Sequence, residues 1–515
     1  LKLIAEQQAA VDTREGAFAV IASAGSGKTE VLVQRYIKLI TSGIQTKDIL
    51  SLTFTNEASQ EMASRAGILD AKSVFRTFHS FCLDLLKKER ENVPFKMCDT
   101  IIPVEMQNFD LLFRLCKIYP QIASWRTLRQ EIQKWKQGGI SPEQAMEEAN
   151  GLEYFTASAY KDYERKCREE GWLDFDSLQE ETIKLLETNE EVRDRHKWKY
   201  IQVDEAQDCC TSQTRLLQLI FTGNIFLVGD ENQLVYAWRG AQPNNLTNSH
   251  RKFPGMQKMY LATNFRSTKS LVDFFRKITP VDNGLASRME SINEDGEPPV
   301  ITKYKDDYEE AEEVLASITD PINTAILART NRQLHLFQKM CVSKNIKYKI
   351  LNKRDFFDLN EVKKVLKLAK DHQHEFQGIP AAHALQILIS RHRLLDIYKH
   401  SEDPMEASPS ENINDICKMA AKHKDLPEFL EKMRKIMYAR RSAKGLTLST
   451  CHGAKGKGFN TVYLVGCSQG LLPHTRGELS EEARILYVGC TRTKKLLYVS
   501  YYGQLSQFLS SLEGV

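Results

Sequence analysis

The sequence has no run of about 18 apolar residues and no opening signal-peptide pattern, so it offers neither a membrane span nor a secretory leader. It also has little charge imbalance: 71 Lys and Arg stand against 67 Asp and Glu, a net +4. So small an excess cannot carry nucleic-acid binding, which must come from local sites if it occurs at all. The eleven cysteines include no CxxC pair and no Cys/His cluster at zinc spacing. Cys209 and Cys210 are neighbours, a poor arrangement for an ordinary disulfide. Reduced, packed thiols in a cytoplasmic protein are therefore expected. Internal repeats are missing too, and the polar segment "SEDPMEASPSEN" (401–412) reads as a solvated loop. The chain opens on Leu1 rather than Met, which leaves room for residues before it.

What the sequence does contain is an alternation of short apolar runs and amphipathic segments. At 515 residues it should form several domains rather than one core. "AFAVIAS" (17–23), "DILSLTFTN" (48–56), "YIQVDEA" (200–206) and "NIFLVGD" (224–230) read as buried strands, each followed by a helix-like stretch. That order predicts a parallel α/β sheet. Charged helical text fills roughly 85–175 and reads as an insertion. A second strand set follows at 255–265, 324–331, 445–453, 461–467 and 496–503, interrupted by helical text over roughly 367–443.

The strongest local signal is Ala22-Ser23-Ala24-Gly25-Ser26-Gly27-Lys28-Thr29 between a strand and a helix. Small residues let backbone N–H groups close around phosphates at the helix N-terminus. Lys28 would reach the β- and γ-phosphates of ATP, and the Thr29 hydroxyl would hold Mg²⁺. Ala22 stands where the strict pattern has its first glycine. At the end of a neighbouring strand, Asp204 would bind Mg²⁺ through water and Glu205 would orient or deprotonate the attacking water. A DE pair alone is usually solvated surface charge; following a strand, in a chain with a phosphate loop, it completes an NTP hydrolase.

Further motifs come in a fixed order: "IAEQQAAV" (4–11), "LTFTNEASQEM" (52–62), "TFHS" (77–80), "LDFDSL" (173–178), "GDENQLVYAWRGA" (229–241), "NFRST" (264–268), "STCHGAKGKGF" (449–459) and "EEARILYVGCTRTK" (481–494). In this combination they resemble superfamily 1A helicases, the UvrD/Rep/PcrA family. The resemblance implies an α/β fold with two RecA-like P-loop NTPase domains, each carrying an α-helical insertion. By that reading 1–84 and 176–254 form the first domain and 85–175 its insertion. Residues 255–366 and 444–515 form the second, with a reduced insertion over 367–443.

The same resemblance assigns Gln7 to the adenine edge, Phe265 to stacking on the base, Gln233 to sensing the γ-phosphate, and Arg239, Arg266 and Arg492 to the triphosphate. It places Phe54, Thr55, Asn56, His79, Tyr236, Trp238, His452 and Lys455 on DNA. Aromatic stacking contributes on the order of 1–3 kcal/mol per base and tolerates any sequence, which suits a motor. The other tryptophans, Trp125, Trp135, Trp172 and Trp198, read as packing. The implied activity is ATP-dependent movement from 3′ to 5′ on single-stranded DNA, with unwinding at single-strand/duplex junctions.

Two departures stand out. Gly458 replaces a glutamate that the family carries near the nucleotide sugar, which would weaken nucleotide affinity or relax sugar preference. The second insertion spans only roughly 75 residues, and no Gly-Ile-Gly loop for gripping duplex is present. This suggests a compact motor that relies on a partner, such as a nuclease or an anti-phage complex. No acidic cluster follows the last motif, so nuclease chemistry is not expected in this chain. A translocase that strips proteins without unwinding shares every motif, a nucleotide-switched DNA-binding regulator is the rival from another class, and RNA stays open as a track.

Overall fold

Six parallel strands build the sheet of the first half: β1 (Ala17–Ala22), β2 (Ile49–Thr53), β3 (Phe75–Thr77), β4 (Tyr200–Val203), β5 (Ile225–Gly229) and β6 (Gln257–Leu261), in the order β3-β2-β4-β5-β1-β6. β1, β2, β4 and β5 are buried along their whole length, as their unbroken apolar text requires when helices cover both faces. A short β7 (Thr263–Asn264) follows. The computed structural model describes residues 3–68, 74–93, 108–235, 240–351, 356–397, 409–439 and 444–512. The chain divides into two compact units, 1–265 with 281–289, and 266–280 with 290–515.

The second unit begins with the helix Lys269–Lys277, continues through the short β8 (Glu290–Ser291) and holds its own parallel sheet. Its strands are β9 (Val300–Tyr304), β10 (Thr324–Ala328), β11 (Tyr348–Ile350), β12 (Leu446–Thr450), β13 (Phe459–Leu464) and β14 (Thr493–Tyr502), ordered β11-β12-β10-β13-β14-β9. The two parallel sheets carry the α/β, RecA-like architecture that the motif order implies. Among the described residues, no helix is long and apolar enough to cross a membrane.

One strand is assigned wrongly by the sequence. The 255–265 segment reads as the start of the second α/β domain, yet β6 pairs in parallel with β1, from Phe18 opposite Gln257 to Ala22 opposite Leu261. A strand's composition says it will pair but not with which sheet; here β6 covers an edge of β1 that would otherwise present unpaired backbone groups. Residues 281–289 also return to the first unit, where the Val281 N–H donates to Asn232 Oδ1 (2.9 Å). The boundaries read at 84/85 and 366/367 fall inside the helices Phe78–Lys88 and Asn360–Asp371.

Both helical stretches are present. In the first unit, helices Asn108–Ile118, Trp125–Gly138, Pro142–Glu148 and Leu152–Glu170 close around a core of their own, which includes Leu128, Ile132, Trp135 and Tyr160. Trp135 stacks on Tyr160 at 5.6 Å, the packing role read for it. In the second unit, helices Asn360–Asp371, Ala381–Arg391, Pro409–Ala420 and Leu426–Ala439 share one apolar core with the sheet, running from Ile326 and Leu448 to Leu388, Ile416 and Phe429. The ten described cysteines are free, eight of them buried, as expected for packed thiols.

Candidate active site

The loop after β1 is shaped by two glycines with positive φ, Gly25 (78°) and Gly27 (79°). Gly27 caps the helix Lys28–Thr41, and a Cβ on it would lie 2.8 Å from Gln7 Nε2, so no other residue fits there unstrained. Gln7 is buried because its Nε2 donates to Ser26 O (3.0 Å), and Ser26 Oγ donates to Ser23 O (2.8 Å). From the other side, Asn264 Nδ2 donates to Ala24 O (2.8 Å) and the Phe265 N–H to Gly25 O (2.9 Å). The loop Ala22–Thr29 is thus braced by Gln7, Asn264 and Phe265, all within one unit. Lys28 and Thr29 stay partly exposed at the helix start, where backbone N–H groups and the helix dipole favour an anion.

The carboxylates follow β4. Asp204 is buried, its N–H donating to Leu52 O (2.9 Å), and its Oδ1 accepts the Glu205 N–H (3.0 Å). Glu205 adopts a left-handed conformation (φ 49°), costly for a residue with a Cβ. Gln207 Nε2 holds its Oε2 at 2.6 Å, and Gln207 Oε1 accepts the Asp230 N–H (3.0 Å). A Cβ at Gly229 would collide with that oxygen at 2.1 Å, which explains the glycine closing β5. Gln233 is buried and donates from Nε2 to Asp230 Oδ2 (2.6 Å).

Asp230 and Gln207 are site residues that the sequence reading did not single out. Burial pushes the Asp230 carboxyl up, while the nearby Lys28 ammonium and the Gln233 hydrogen bond pull it down. The signal was available: an aspartate directly after a fully apolar strand cannot be solvated surface charge if the strand end is enclosed.

Strand order separates two sets of groups. At the carboxyl ends of β1, β4 and β5 stand the phosphate loop, Asp204–Glu205 and Asp230–Gln233. At the ends of β2 and β3 stand Phe54–Asn56 and His79. Phe54 is half-buried, its ring 5.4 Å from Phe78, while Thr55 and Asn56 are exposed. The Thr55 hydroxyl accepts the Ala58 N–H (3.1 Å) and so caps the helix Asn56–Arg65. The His79 ring lies 4.9 Å from Phe175 and 3.0 Å from Gln179 Nε2. Tyr236, Trp238 and Arg239 lie outside the described residues.

The remaining predicted residues belong to the second unit. Arg266 Nη1 donates to Thr491 O (3.0 Å). Arg492 is buried, with Nε donating to Val488 O (2.9 Å) and Nη2 to Thr491 Oγ1 (3.0 Å). These acceptors are carbonyl and hydroxyl oxygens that orient the guanidinium groups. His452 and Lys455 sit in the turn after β12, where the Lys455 N–H donates to His452 O (3.2 Å). A Cβ at Gly458 would come within 3.3 Å of Lys494 Cε and 3.5 Å of Arg266 Nε, so a longer side chain there would stand against both cations.

This arrangement has known counterparts. The profile of the UvrD/REP helicase N-terminal domain matches residues 3–254, and that of the UvrD-like helicase C-terminal domain matches 259–380 and 382–504. The ATP-dependent DNA helicase PcrA of Staphylococcus epidermidis is 27% identical over 602 residues, covering 96% of this chain and 82% of the relative. PcrA of Staphylococcus aureus is 26% identical over 611 residues, with the same coverage. With a braced phosphate loop, paired carboxylates and both profiles in order along it, the chain belongs to the UvrD/Rep/PcrA family of superfamily 1 helicases and is an ATP-hydrolysing DNA helicase.

Proposed function

We propose that this helicase tracks along single-stranded DNA from 3′ to 5′ and separates strands at single-strand/duplex junctions in the cytoplasm, on the nucleoid in a bacterial host. What supports the reading is that, along one sheet's carboxyl edge, the residues expected to bind nucleotide follow β1, β4 and β5, while those expected to meet DNA follow β2 and β3. Movement of the β4 end against the β2 end on hydrolysis would pass directly between those sets, through the Asp204 N–H to Leu52 O hydrogen bond.

In this reading the loop Ala22–Thr29 wraps the triphosphate, Gln7 and Phe265 flank the adenine, and Lys28 holds the β- and γ-phosphates. Glu205, fixed by Gln207, orients the attacking water and takes its proton. Gln233 reports the γ-phosphate to Asp230. Arg239, Arg266 and Arg492 stabilise charge on the transferring phosphoryl group. The Thr29 hydroxyl and the Asp204 carboxylate form an all-oxygen donor set that suits Mg²⁺, which when bound neutralises phosphate charge. Phe54, Thr55, Asn56, His79, Tyr236, Trp238, His452 and Lys455 form the DNA track.

The test uses matched duplexes with a 3′ or a 5′ single-stranded tail and Lys28→Ala as control. Separation of the 3′-tailed substrate alone, lost in the control, is expected; separation of the 5′-tailed substrate would overturn the polarity. A second reading has its own support: PcrA aligns over 602 residues, whereas this chain has 515, so the relative carries segments that this chain lacks. ATP consumption without separation on either tail would identify a translocase or a motor that works with a protein partner, such as a nuclease. Gly458 adds an expectation about nucleotide choice. ATP and dATP should be used with similar kcat/KM, and Gly458→Glu should separate them; strong discrimination by the unaltered chain would refute this.

A further inference from the structure

The chain crosses between the two units three times, after Phe265, after Pro280 and after Met289. Both ends of the segment 266–280 are therefore rooted in the first unit, and each root rests on a turn of the candidate nucleotide site. Before it, the Phe265 N–H donates to Gly25 O (2.9 Å) in the phosphate loop. After it, the Val281 N–H donates to Asn232 Oδ1 (2.9 Å), in the turn that carries Gln233. The return segment 281–289 is held down further along. Leu285 and Met289 are buried, Asn283 Nδ2 donates to Glu231 Oε2 (3.3 Å), and the Arg288 guanidinium lies 4.7 Å from the centre of the Tyr260 ring.

Asp230 and Asn232 link this anchor to Gln233. Asp230 Oδ2 accepts Gln233 Nε2 (2.6 Å), and its Oδ1 accepts the Asn232 N–H (3.0 Å). Asn232 is fully buried, yet among the described residues its Nδ2 has no acceptor. The side-chain oxygen must be the atom that faces the Val281 N–H, so the group left over is a donor. A buried donor without an acceptor is costly, and an acceptor that becomes free beside it will draw it. Asp230 Oδ2, two residues away in the same turn, is such an acceptor, engaged by Gln233 while no phosphate competes. A γ-phosphate that takes up the Gln233 amide leaves that oxygen open. Val281, by contrast, is only half-buried, so water can replace Asn232 on its N–H.

We propose that Asn232 is a positioning residue that changes partner with the nucleotide: when the γ-phosphate takes the Gln233 amide, Asn232 turns its Nδ2 to Asp230 and lets go of Val281. The return segment 281–289 is then docked firmly in the nucleotide-free and ADP states and loosened in the ATP state. The inference rests on the reading of Gln233 as the γ-phosphate sensor. Its test is hydrogen exchange of the full chain alone, with Mg²⁺ and ADP, and with Mg²⁺ and the non-hydrolysable analogue AMP-PNP, saturation being checked by calorimetry. Peptides from 281–289 should exchange roughly tenfold faster with AMP-PNP than in the other two states, the fold-change for one lost hydrogen bond. Asn232→Leu, which keeps the volume but can hold neither partner, should exchange fast in all three states. Asn283→Ala, which cuts the Glu231 contact and leaves Asn232 in place, should exchange faster throughout yet still respond to AMP-PNP. No response of the unaltered chain, an equal response to ADP, or a response that persists in Asn232→Leu or vanishes in Asn283→Ala would overturn the proposal. Gln233→Ala separates its failure from that of the underlying reading: ATP turnover at saturating DNA should fall sharply, whereas unimpaired turnover would mean that Gln233 senses no phosphate.

Discussion

The two helical insertions are joined to their α/β layers by opposite means. In the second unit the insertion helices and the sheet share a single apolar core, so Leu388, Ile416 and Phe429 belong to the same cluster as Ile326 and Leu448. In the first unit the insertion core around Leu128, Trp135 and Tyr160 is separate from the sheet core around Val20, Val31 and Phe226. The joint between them holds a buried ion cluster: Lys136 on Glu164, Asp174 and Ser177, with Tyr163 donating to Asp174 (2.7 Å). An apolar joint is non-directional and adds strength by area. An ionic one is strong only while every partner is present, and it fixes orientation. The first insertion is therefore a module set at a defined angle, and the second is an extension of its domain.

The sharpest way to break this comparison is Lys136→Ala. It leaves Asp174 and Glu164 buried without their cation, at a cost of about 4 kcal/mol by analogy with other broken buried pairs. Because the insertion has its own core, it should loosen before the sheet does. Fluorescence of the stacked Trp135 should change at lower denaturant than far-UV dichroism. A single coincident transition would mean that the insertion is not a separate module.

Leu388→Ala is the matching substitution in the second unit, where Leu388 is 1% exposed. The cavity it leaves should cost about 3 kcal/mol. Here the loss should lower the stability of helices and sheet together, since one core spans both. Hydrogen exchange in β12 should accelerate along with exchange in the helix Ala381–Arg391. Protection of β12 unaffected by the substitution would contradict a shared core.

The pH responses should run in opposite directions. At the first joint, burial and the neighbouring Asp174 push the Asp176 carboxyl up to about 6, and burial lifts Glu180 to about 7. The groups facing them are Lys136, Arg129, Lys184, Glu164 and Asp174. Both carboxyls keep protons that an unfolded chain would release, so the joint weakens as pH rises from about 4 to 7. Asp174, held down at about 2 by Lys136 against the opposing effect of burial, adds stability that is lost only in strong acid. At the second joint, His335 is buried beside Phe356, and neither ring nitrogen has a hydrogen-bond partner among the described residues. Burial, with help from Lys339, depresses it from 6.5 to about 4, while Asp415 opposes. The fold refuses a proton that the unfolded chain accepts, so this joint strengthens as pH rises from about 4 to 6.5. Each effect is roughly 3 kcal/mol. Exchange rates corrected for intrinsic chemistry should diverge between peptides from 152–170 and 331–343; parallel trends would refute the assignment.

These joints also mark where sequence reading stops. The phosphate loop, Asp204, Glu205 and the strands β1, β2, β4 and β5 are legible because each is a local pattern: small residues before a Lys-Thr pair, carboxylates after an apolar run. The sheet that β6 joins is not local, and β3 and β11 are only three residues long. Lys136, inside "EIQKWKQGG", reads as one solvated charge among many. Its burial depends on carboxylates 28 and 38 residues further along, Glu164 and Asp174, brought to it by tertiary packing. Asp230 and Glu180 went unread for the same reason, since an acid's environment is set by what folds over it.

The smallest expected effect comes from a bridge that resembles Lys136–Asp174 on paper. Lys339 pairs with Asp415 and links the helix Asn331–Ser343 to the insertion helix Pro409–Ala420. Its side chain also lies over the Phe356 ring at 5.1 Å. Yet Lys339 and Asp415 are 22% and 23% exposed, against 0% and 8% for Lys136 and Asp174. Water reaches both partners, so separating them strands no charge in an apolar medium, and the shared core holds the joint without them. Lys339→Ala should cost only about 0.2–1 kcal/mol, with the cation–π contact adding little at a wet site. Double-mutant cycles on each pair, read from urea midpoints, give the decisive contrast: strong coupling between Lys136 and Asp174, weak coupling between Lys339 and Asp415. Equal coupling would show that burial does not separate the two joints, and that the second insertion depends on its charges as the first does.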